Sequence, residues 1–224
     1  MREVLLDIYH RLYKAYGPQN WWPGETRFEV IVGAILTQQV SWNAVERAIA
    51  ALKDNGLMDP KALARAPVER IASLIRPTIY YNQKARKLKA FLEFLERRHR
   101  GDLDELFALP LTKLREELLS VHGIGEETAD SIILYAAGKP SFVVDAYTRR
   151  ILARLGLIAG NEPYDEIRTL FMENLPPDVR LYNEYHALLV RHGKERCRKR
   201  DPRCDNCSLG EICQISKYRD SLSH

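Results

Sequence analysis

The 224-residue sequence has no apolar run that approaches the roughly 20 residues needed to cross a bilayer. It has no low-complexity tract, and its 46% hydrophobic and 29% charged residues exclude a disordered chain. Acidic residues interrupt the apolar stretch at the beginning, MREVLLD, which favours a helix start over a secretion signal. We therefore expect one large or two small globular domains in a reducing, cytoplasmic compartment.

Strand patterns are also missing, because no segment alternates apolar and polar residues convincingly with a period of two. Apolar residues instead recur at helical spacing, as in the stripe Ala85, Leu88, Phe91, Leu92 and Leu95. The segment 28–36, FEVIVGAIL, is apolar on nearly all sides and could alone be a buried strand or a buried helix. Its neighbours favour helix, and Asn82 is placed to cap a helix running toward Arg98. The predicted fold class is all-α.

The chain has little net charge, +4 with a pI of about 8.8, which is compatible with a polyanionic partner but does not demand one. The composition shifts once, at the C-terminal end. The segment 191–203, RHGKERCRKRDPR, carries seven Lys or Arg against two acids. This local basic segment is the candidate contact with phosphates.

Cysteine is absent except for four residues near the C-terminus, spaced C-x6-C-x2-C-x5-C: Cys197, Cys204, Cys207 and Cys213. In a reducing compartment such a tetrad indicates a metal site rather than two disulfides or four unligated thiols. Zinc favours two short pairs and only one is present, so the spacing leans toward a [4Fe-4S] cluster. A metal-tied loop would hold Arg198, Lys199 and Arg200 toward a phosphate backbone.

Residues 118–137, LLSVHGIGEETADSIILYAA, predict two helices joined by a Gly-Ile-Gly turn. The glycines at 123 and 125 allow close backbone approach, so that N–H groups at the start of the second helix can bind a phosphate. The alternative is an ordinary glycine C-cap between packed helices. By itself, the turn does not choose between the two.

Asp145 follows the apolar run SFVV directly and precedes the helical pattern AYTRRILARL. In isolation this position indicates a helix N-cap. It lies 20 residues after Gly125, however, and before the cysteine loop, which makes Asp145 a candidate for more than capping.

Together these motifs resemble the endonuclease III, or helix-hairpin-helix-GPD, superfamily of base excision DNA glycosylases. The resemblance rests on LTQQ (36–39), YNQKA (81–85), the Gly-x-Gly hairpin, VVDAYTRR (143–150) and the cysteine loop. It implies a helical barrel domain at 25–139 ending in the hairpin, and a cluster domain made of 1–24 and 140–224. It also implies that the four cysteines bind a [4Fe-4S] cluster.

Positions at which this sequence departs from the superfamily pattern indicate which functional branch it resembles. Bifunctional members carry a lysine just after the hairpin glycines, and this sequence has Glu127 at the matching position, which cannot form an imine. The segment NWWPGETRFEVIVGAILTQQVSW is most similar to the 3-methyladenine branch. That resemblance suggests Trp42, Trp21 and Trp22 as walls of a base pocket, although each could instead be a core or surface aromatic.

The predicted function is therefore a monofunctional DNA glycosylase that flips an alkylated purine and hydrolyses its glycosidic bond. In this reading Asp145 is catalytic, Gln39 fills the hole left by the flipped base, Tyr80 wedges the opposite strand, and Gly123 and Gly125 hold the backbone. We expect a monomer, without membrane contact, acting on damaged double-stranded DNA in a prokaryotic cytoplasm. The alternatives are a thymine, uracil or oxidised-pyrimidine glycosylase and a non-catalytic, metal-stabilised DNA-binding protein.

Overall fold

The computed structural model describes residues 1–21 and 24–214. Within these ranges every regular element is a helix, so the all-α prediction is confirmed. The α-helices are α1 (Arg2–Tyr16), α2 (Arg27–Leu36), α3 (Trp42–Asp54), α4 (Pro60–Arg65), α5 (Val68–Leu74), α6 (Tyr81–His99), α7 (Leu103–Ala108), α8 (Leu111–Leu119), α9 (Glu126–Ser131), α10 (Ala146–Leu155), α11 (Tyr164–Asn174) and α12 (Val179–Glu195). No helix among the described residues is long and apolar enough to cross a membrane.

The chain divides into two compact units, Met1–Trp21 with Pro140–His224, and Trp22–Lys139. We call them the terminal unit and the central unit. The assignment of these parts of the chain as cluster domain and barrel domain stays a prediction.

The core of the terminal unit is aromatic. The rings of Phe142 and Phe171 stack with their centroids 3.7 Å apart, and Tyr185 packs edge-on against both. The Tyr185 hydroxyl donates to the Leu5 carbonyl at 2.8 Å, which ties α12 to α1. Phe142 belongs to the extended segment that leads into α10, so this core fixes where α10 begins.

The central unit is built around α2, the segment that could have been a strand or a helix. Its side chains are apolar almost all round, and the helix is buried on nearly every side. Thr26 caps it by accepting from the Glu29 N–H at 3.1 Å. α2 packs against α3, α6 and the π-helical turn Ile132–Ala136 that continues α9.

The start of α6 differs from the prediction. Asn82 lies inside the first turn, and Tyr80 is the N-cap residue, without a side-chain cap. Tyr80 has left-handed backbone angles, φ 51° and ψ 27°. Because α6 already begins at Tyr81, Asn82 lies within the helix and is not its N-cap, so the Asn82 prediction was wrong.

Candidate functional site

Asp145 is placed by the buried segment that precedes it. Phe142, Val143 and Val144 are almost fully buried, and the Val144 N–H donates to the Tyr164 hydroxyl at 3.2 Å. The chain turns helical immediately afterwards, at Ala146. This buried, extended segment therefore fixes the position of Asp145 at the start of α10.

The carboxylate of Asp145 caps α10 and contacts a buried histidine. Its Oδ1 accepts from the Thr148 N–H at 2.7 Å, and its Oδ2 lies 3.6 Å from Nε2 of His186 on α12. Burial raises the pKa of Asp145, but His186 and the Thr148 N–H lower it more, so the pKa ends below its usual 3.8. The side chain is therefore a carboxylate at neutral pH although only 11% of it is exposed.

The structure brings one of the predicted pocket aromatics close to this pair. The Trp21 ring lies 5.8 Å from the His186 ring, in the same unit as Asp145. Trp42 begins α3 in the central unit, where it is half-buried and its Nε1 donates to Glu46 Oε1 at 2.9 Å. Trp22 lies outside the described residues. The predicted base-pocket roles of all three stay predictions.

The predicted Gly-x-Gly hairpin is present between α8 and α9. Gly123 has a φ of +85°, and a Cβ at this position would collide with the aliphatic part of Lys87. Nζ of Lys87 donates to Gln38 Oε1, and Nε2 of Gln38 donates to the Gly123 carbonyl at 3.1 Å and to Thr128 Oγ1 at 3.0 Å. Glycine is thus required at 123, whereas a Cβ at Gly125 would meet open space.

A buried ion pair stiffens the same hairpin. Arg115 Nε on α8 donates to both carboxylate oxygens of Asp130 on α9, at 3.1 and 3.2 Å, and Asp130 is completely buried. Glu127 is exposed on the first turn of α9. The hairpin is therefore a rigid element with an acidic side chain at the position that resembles the lysine site of bifunctional enzymes.

Two exposed turns of the central unit carry left-handed residues. Gln39 has a φ of 58°, and Ile79 and Tyr80 both have a φ of 51°. Ile79 and Tyr80 are also the most exposed large hydrophobic residues in the described chain, at 55% and 58%. A β-branched residue with positive φ is strained, and packing does not explain it here because the side chain is mostly in solvent.

A buried lysine holds these two turns. Lys84 is 2% exposed, and its Nζ donates to the carbonyls of Leu36, at 2.9 Å, and Thr78, at 2.5 Å. Burial lowers the pKa of Lys84 to about 8, with a further contribution from Lys87. The ammonium group therefore fixes the residues just before Gln38-Gln39 and just before Ile79-Tyr80.

Sequence reasoning missed Ile79, Lys84 and His186. One available signal was charge: the segment 70–92 contains six Lys or Arg and no Asp or Glu. Such a segment favours a polyanionic partner. His186 left no signal, since its pairing with Asp145 depends on tertiary packing.

The four cysteines lie around one pocket at the end of α10. None is in a disulfide, and all four line this pocket together with apolar residues that include Ile151, Leu155 and Leu209. Burial raises the pKa of the Cys207 thiol, so a positively charged ligand is needed to hold it as a thiolate. Among the described residues no group of three or more His, Cys, Asp or Glu side chains is arranged to hold a metal ion.

Arg154 ties the cysteine loop to α10. Its Nη1 donates to Cys197 Sγ at 3.2 Å and to the Arg198 carbonyl at 2.7 Å, and its Nη2 donates to the Lys199 carbonyl at 3.3 Å. The backbone of this basic loop is thereby anchored. Lys199 and Arg200 are exposed and Arg198 is half-buried. These side chains are therefore accessible, and their contact with DNA stays a prediction.

Comparison with known proteins identifies the family. The model of the HhH-GPD superfamily of base excision DNA repair proteins matches residues 32–177, which include the hairpin and Asp145. The chain belongs to the HhH-GPD superfamily. A candidate DNA repair glycosylase of Methanocaldococcus jannaschii is 48% identical over 213 residues, covering 94% of this chain and 96% of the relative.

Solved structures of the HhH-GPD superfamily agree with this fold. A non-covalent endonuclease III–DNA complex matches with a TM-score of 0.84 at 22% identity, covering 99% of both chains. The 3-methyladenine DNA glycosylase of H. pylori, bound to 1,N6-ethenoadenine, matches with a TM-score of 0.72 at 28% identity, covering 87% of this chain and 97% of that one. The predicted endonuclease III-type fold is therefore confirmed.

Proposed function

We propose that this HhH-GPD protein is a monofunctional DNA glycosylase that hydrolyses the N-glycosidic bond of a flipped alkylated purine such as 3-methyladenine. The observation that carries the proposal is the environment of Asp145. A buried carboxylate is held ionised at a helix start beside a histidine, which is the state required of a group that stabilises a cationic sugar.

The reaction replaces the C1′–N bond with a C1′–O bond, and the attacking water gives up one proton. The bond between C1′ and the purine nitrogen breaks with its electron pair leaving on the base, and positive charge develops on the deoxyribose. The ionised Asp145 stabilises that charge and orients, or deprotonates, the water that adds to C1′. The products are the free base and an abasic site in an intact strand.

Glu127 supports hydrolysis without strand cleavage. Strand cleavage by bifunctional enzymes requires an amine that attacks C1′ and forms an imine. The exposed residue on the first turn of α9 is a carboxylate, which cannot do this. We therefore infer that the abasic strand stays intact.

Chemistry and resemblance support the alkylated purine. Purines alkylated at N3 or N7 are cationic and leave readily, so the enzyme needs aromatic stacking and one carboxylate rather than strong acid assistance. Trp21 beside His186 and the half-buried Trp42 are the candidate stacking residues. The similarity to the H. pylori 3-methyladenine DNA glycosylase favours the same substrate class.

The central unit supplies the candidate contacts with damaged double-stranded DNA. Gln39 and Tyr80 stand on exposed left-handed turns, Gln39 to fill the hole in the stack and Tyr80 to enter the opposite strand. We propose that the backbone at Gly123 and Gly125 binds a phosphate. In the terminal unit, the candidate phosphate contacts are Arg198, Lys199 and Arg200.

We propose that a [4Fe-4S] cluster binds at the cysteine pocket, and the four cysteines that line it support this assignment. In a cubane each cysteine binds a different iron, so the thiolates need to surround a shared space, as Cys197, Cys204, Cys207 and Cys213 do. The cluster would order the basic loop and supply no electrons, since hydrolysis consumes none. We expect purified protein to be yellow-brown with about four irons per chain, measured by elemental analysis. Stoichiometric zinc without iron in anaerobically prepared protein contradicts this assignment.

A panel of duplexes tests the function. Each carries one target: a methylated purine, uracil or thymine opposite guanine, or an oxidised pyrimidine. We expect the fastest single-turnover excision from the methylated purine, strand breaks only after heat or alkali, and no complex trapped by borohydride. Preferred excision of uracil or thymine contradicts the substrate class, and efficient trapping contradicts the hydrolytic mechanism. Binding without excision of any base identifies a non-catalytic DNA-binding protein.

A further inference from the structure

The two oxygens of Asp145 have different neighbours. Oδ1 serves the start of α10 by accepting from the Thr148 N–H at 2.7 Å. Oδ2 lies 3.6 Å from His186 Nε2, and the two side chains are only 11% and 6% exposed. Capping thus occupies one oxygen, and the orientation of the other depends on what surrounds it.

A histidine at position 186 is not explained by packing alone. α12 is apolar at the following positions, Ala187, Leu188 and Leu189, and the ring is flanked by the indole of Trp21 at 5.8 Å. A phenyl ring would fill such a position without the cost of burying a polar imidazole. What the imidazole adds is a polar nitrogen 3.6 Å from Oδ2.

We propose that His186 is a positioning residue for Asp145: its buried imidazole fixes carboxylate oxygen Oδ2 in the orientation needed to face the sugar. The proposal rests on the proposed function, because it assigns a role in the same reaction. His186 acts through Asp145 and does not itself touch the substrate.

Nearby charges on the packed elements have other partners. On α10, Arg149 donates to the Glu162 carbonyl and Arg150 donates to the Cys197 carbonyl at 2.8 Å. On α12, Glu184 accepts from the Gln19 N–H at 2.6 Å, in the segment that leads to Trp21. His186 is therefore a side chain on these elements that is placed to orient Oδ2.

The test compares two substitutions at this position. His186→Phe keeps a ring beside Trp21 and removes the polar nitrogen, whereas His186→Gln keeps an N–H donor near the position of Nε2. The matched control is His99→Phe. His99 also pairs with a carboxylate, Glu117, at 2.7 Å, and both side chains are comparably buried in the central unit.

Two readouts separate positioning from a structural role. One is the single-turnover excision rate with saturating duplex, and the other is the Asp145 pKa in the free protein, measured by carboxyl carbon-13 NMR. We expect His186→Phe to slow excision on the order of 10²-fold, as misplacement of a reacting group does. It should also raise the Asp145 pKa, and His186→Gln should restore part of both.

His99→Phe should change neither readout, even if it lowers the melting temperature as much as His186→Phe does. Unchanged excision and an unchanged Asp145 pKa in His186→Phe overturn the proposal, as does an equal loss of excision in His99→Phe. If the wild type excises no base, the proposed function fails separately. The NMR measurement then decides whether His186 acts on Asp145, and an unchanged pKa still overturns the proposal.

Discussion

The two compact units bury charged groups for different purposes. In the central unit, Lys84 donates to two backbone carbonyls, and Arg115 donates to both oxygens of Asp130. These charges are used to hold a turn or a hairpin. In the terminal unit, Asp145 gives one oxygen to the helix start and has the other beside His186.

The difference teaches that burial alone does not identify a reactive carboxylate. Asp130 is more deeply buried than Asp145, yet both of its oxygens accept from one guanidinium. Helix capping alone does not identify one either, because Asp178 caps α12 by accepting from the Arg180 N–H at 2.7 Å and is exposed. Asp145 combines a cap, burial and a histidine, and this combination singles it out.

The largest expected effect on stability is in the central unit. Arg115→Met leaves the completely buried Asp130 without its guanidinium, and should lower the free energy of unfolding by about 3 kcal/mol. Urea denaturation measures this. Adding Asp130→Leu to the same protein should recover part of the loss, because the buried carboxylate that lost its guanidinium is then removed. A loss below about 0.5 kcal/mol, the level of a surface substitution, would show that the pair does not hold the hairpin.

The next largest effect concerns the exposed turn at Ile79, which we expect to serve DNA binding rather than the chemical step. Ile79→Gly removes a strained β-branched residue at φ 51° and ψ 150°, so the protein should become more stable by about 1 kcal/mol. It also removes an exposed apolar side chain beside Tyr80, and binding to a lesion duplex should weaken about fivefold. Denaturation and fluorescence anisotropy measure the two quantities. Val4→Ala, which trims an exposed residue of α1, is the control and should leave DNA affinity unchanged.

The smallest effect is the pH dependence of stability at Asp145. Because its folded-state pKa lies below the usual 3.8, the carboxylate contributes stability that is present above this value and is lost as pH falls through the folded-state pKa. Asp145→Asn should therefore be slightly less stable than the wild type at neutral pH. The difference should shrink in acid, as followed by thermal melts from neutral pH to pH about 3. A difference that is constant with pH contradicts the assigned charge.

Much of the fold was predictable because it is encoded locally. Helical periodicity gave the all-α class, and Gly-Ile-Gly between two apolar patterns predicted the turn between α8 and α9. The N-cap position of Asp145 was predictable because the residue stands between a buried run and a helix. In each case the signal lies within a few neighbouring residues.

The remainder depends on tertiary contacts. Asn82 was wrongly predicted as a cap because the turn at Ile79-Tyr80 is held by Lys84, whose partners include the distant Leu36 carbonyl. His186 is 41 residues from Asp145 in the sequence. A histidine in a helical pattern does not indicate which distant residue it will contact. Trp42 and Trp21 were both predicted as walls of a base pocket. Sequence spacing alone does not determine which aromatic residues form such a pocket.

The most direct test of the central claim is the single-turnover excision rate of Asp145→Asn on a methylated-purine duplex, with Asp178→Asn as the matched cap control. Asparagine also caps helices, so both variants should stay within about 1 kcal/mol of wild-type stability. We predict that Asp145→Asn loses excision on the order of 10²-fold or more while still binding DNA, because an amide cannot stabilise the cationic sugar. Asp178→Asn should excise at the wild-type rate. Unchanged excision by Asp145→Asn, with a large loss of stability, would make Asp145 a structural cap and contradict the proposed mechanism.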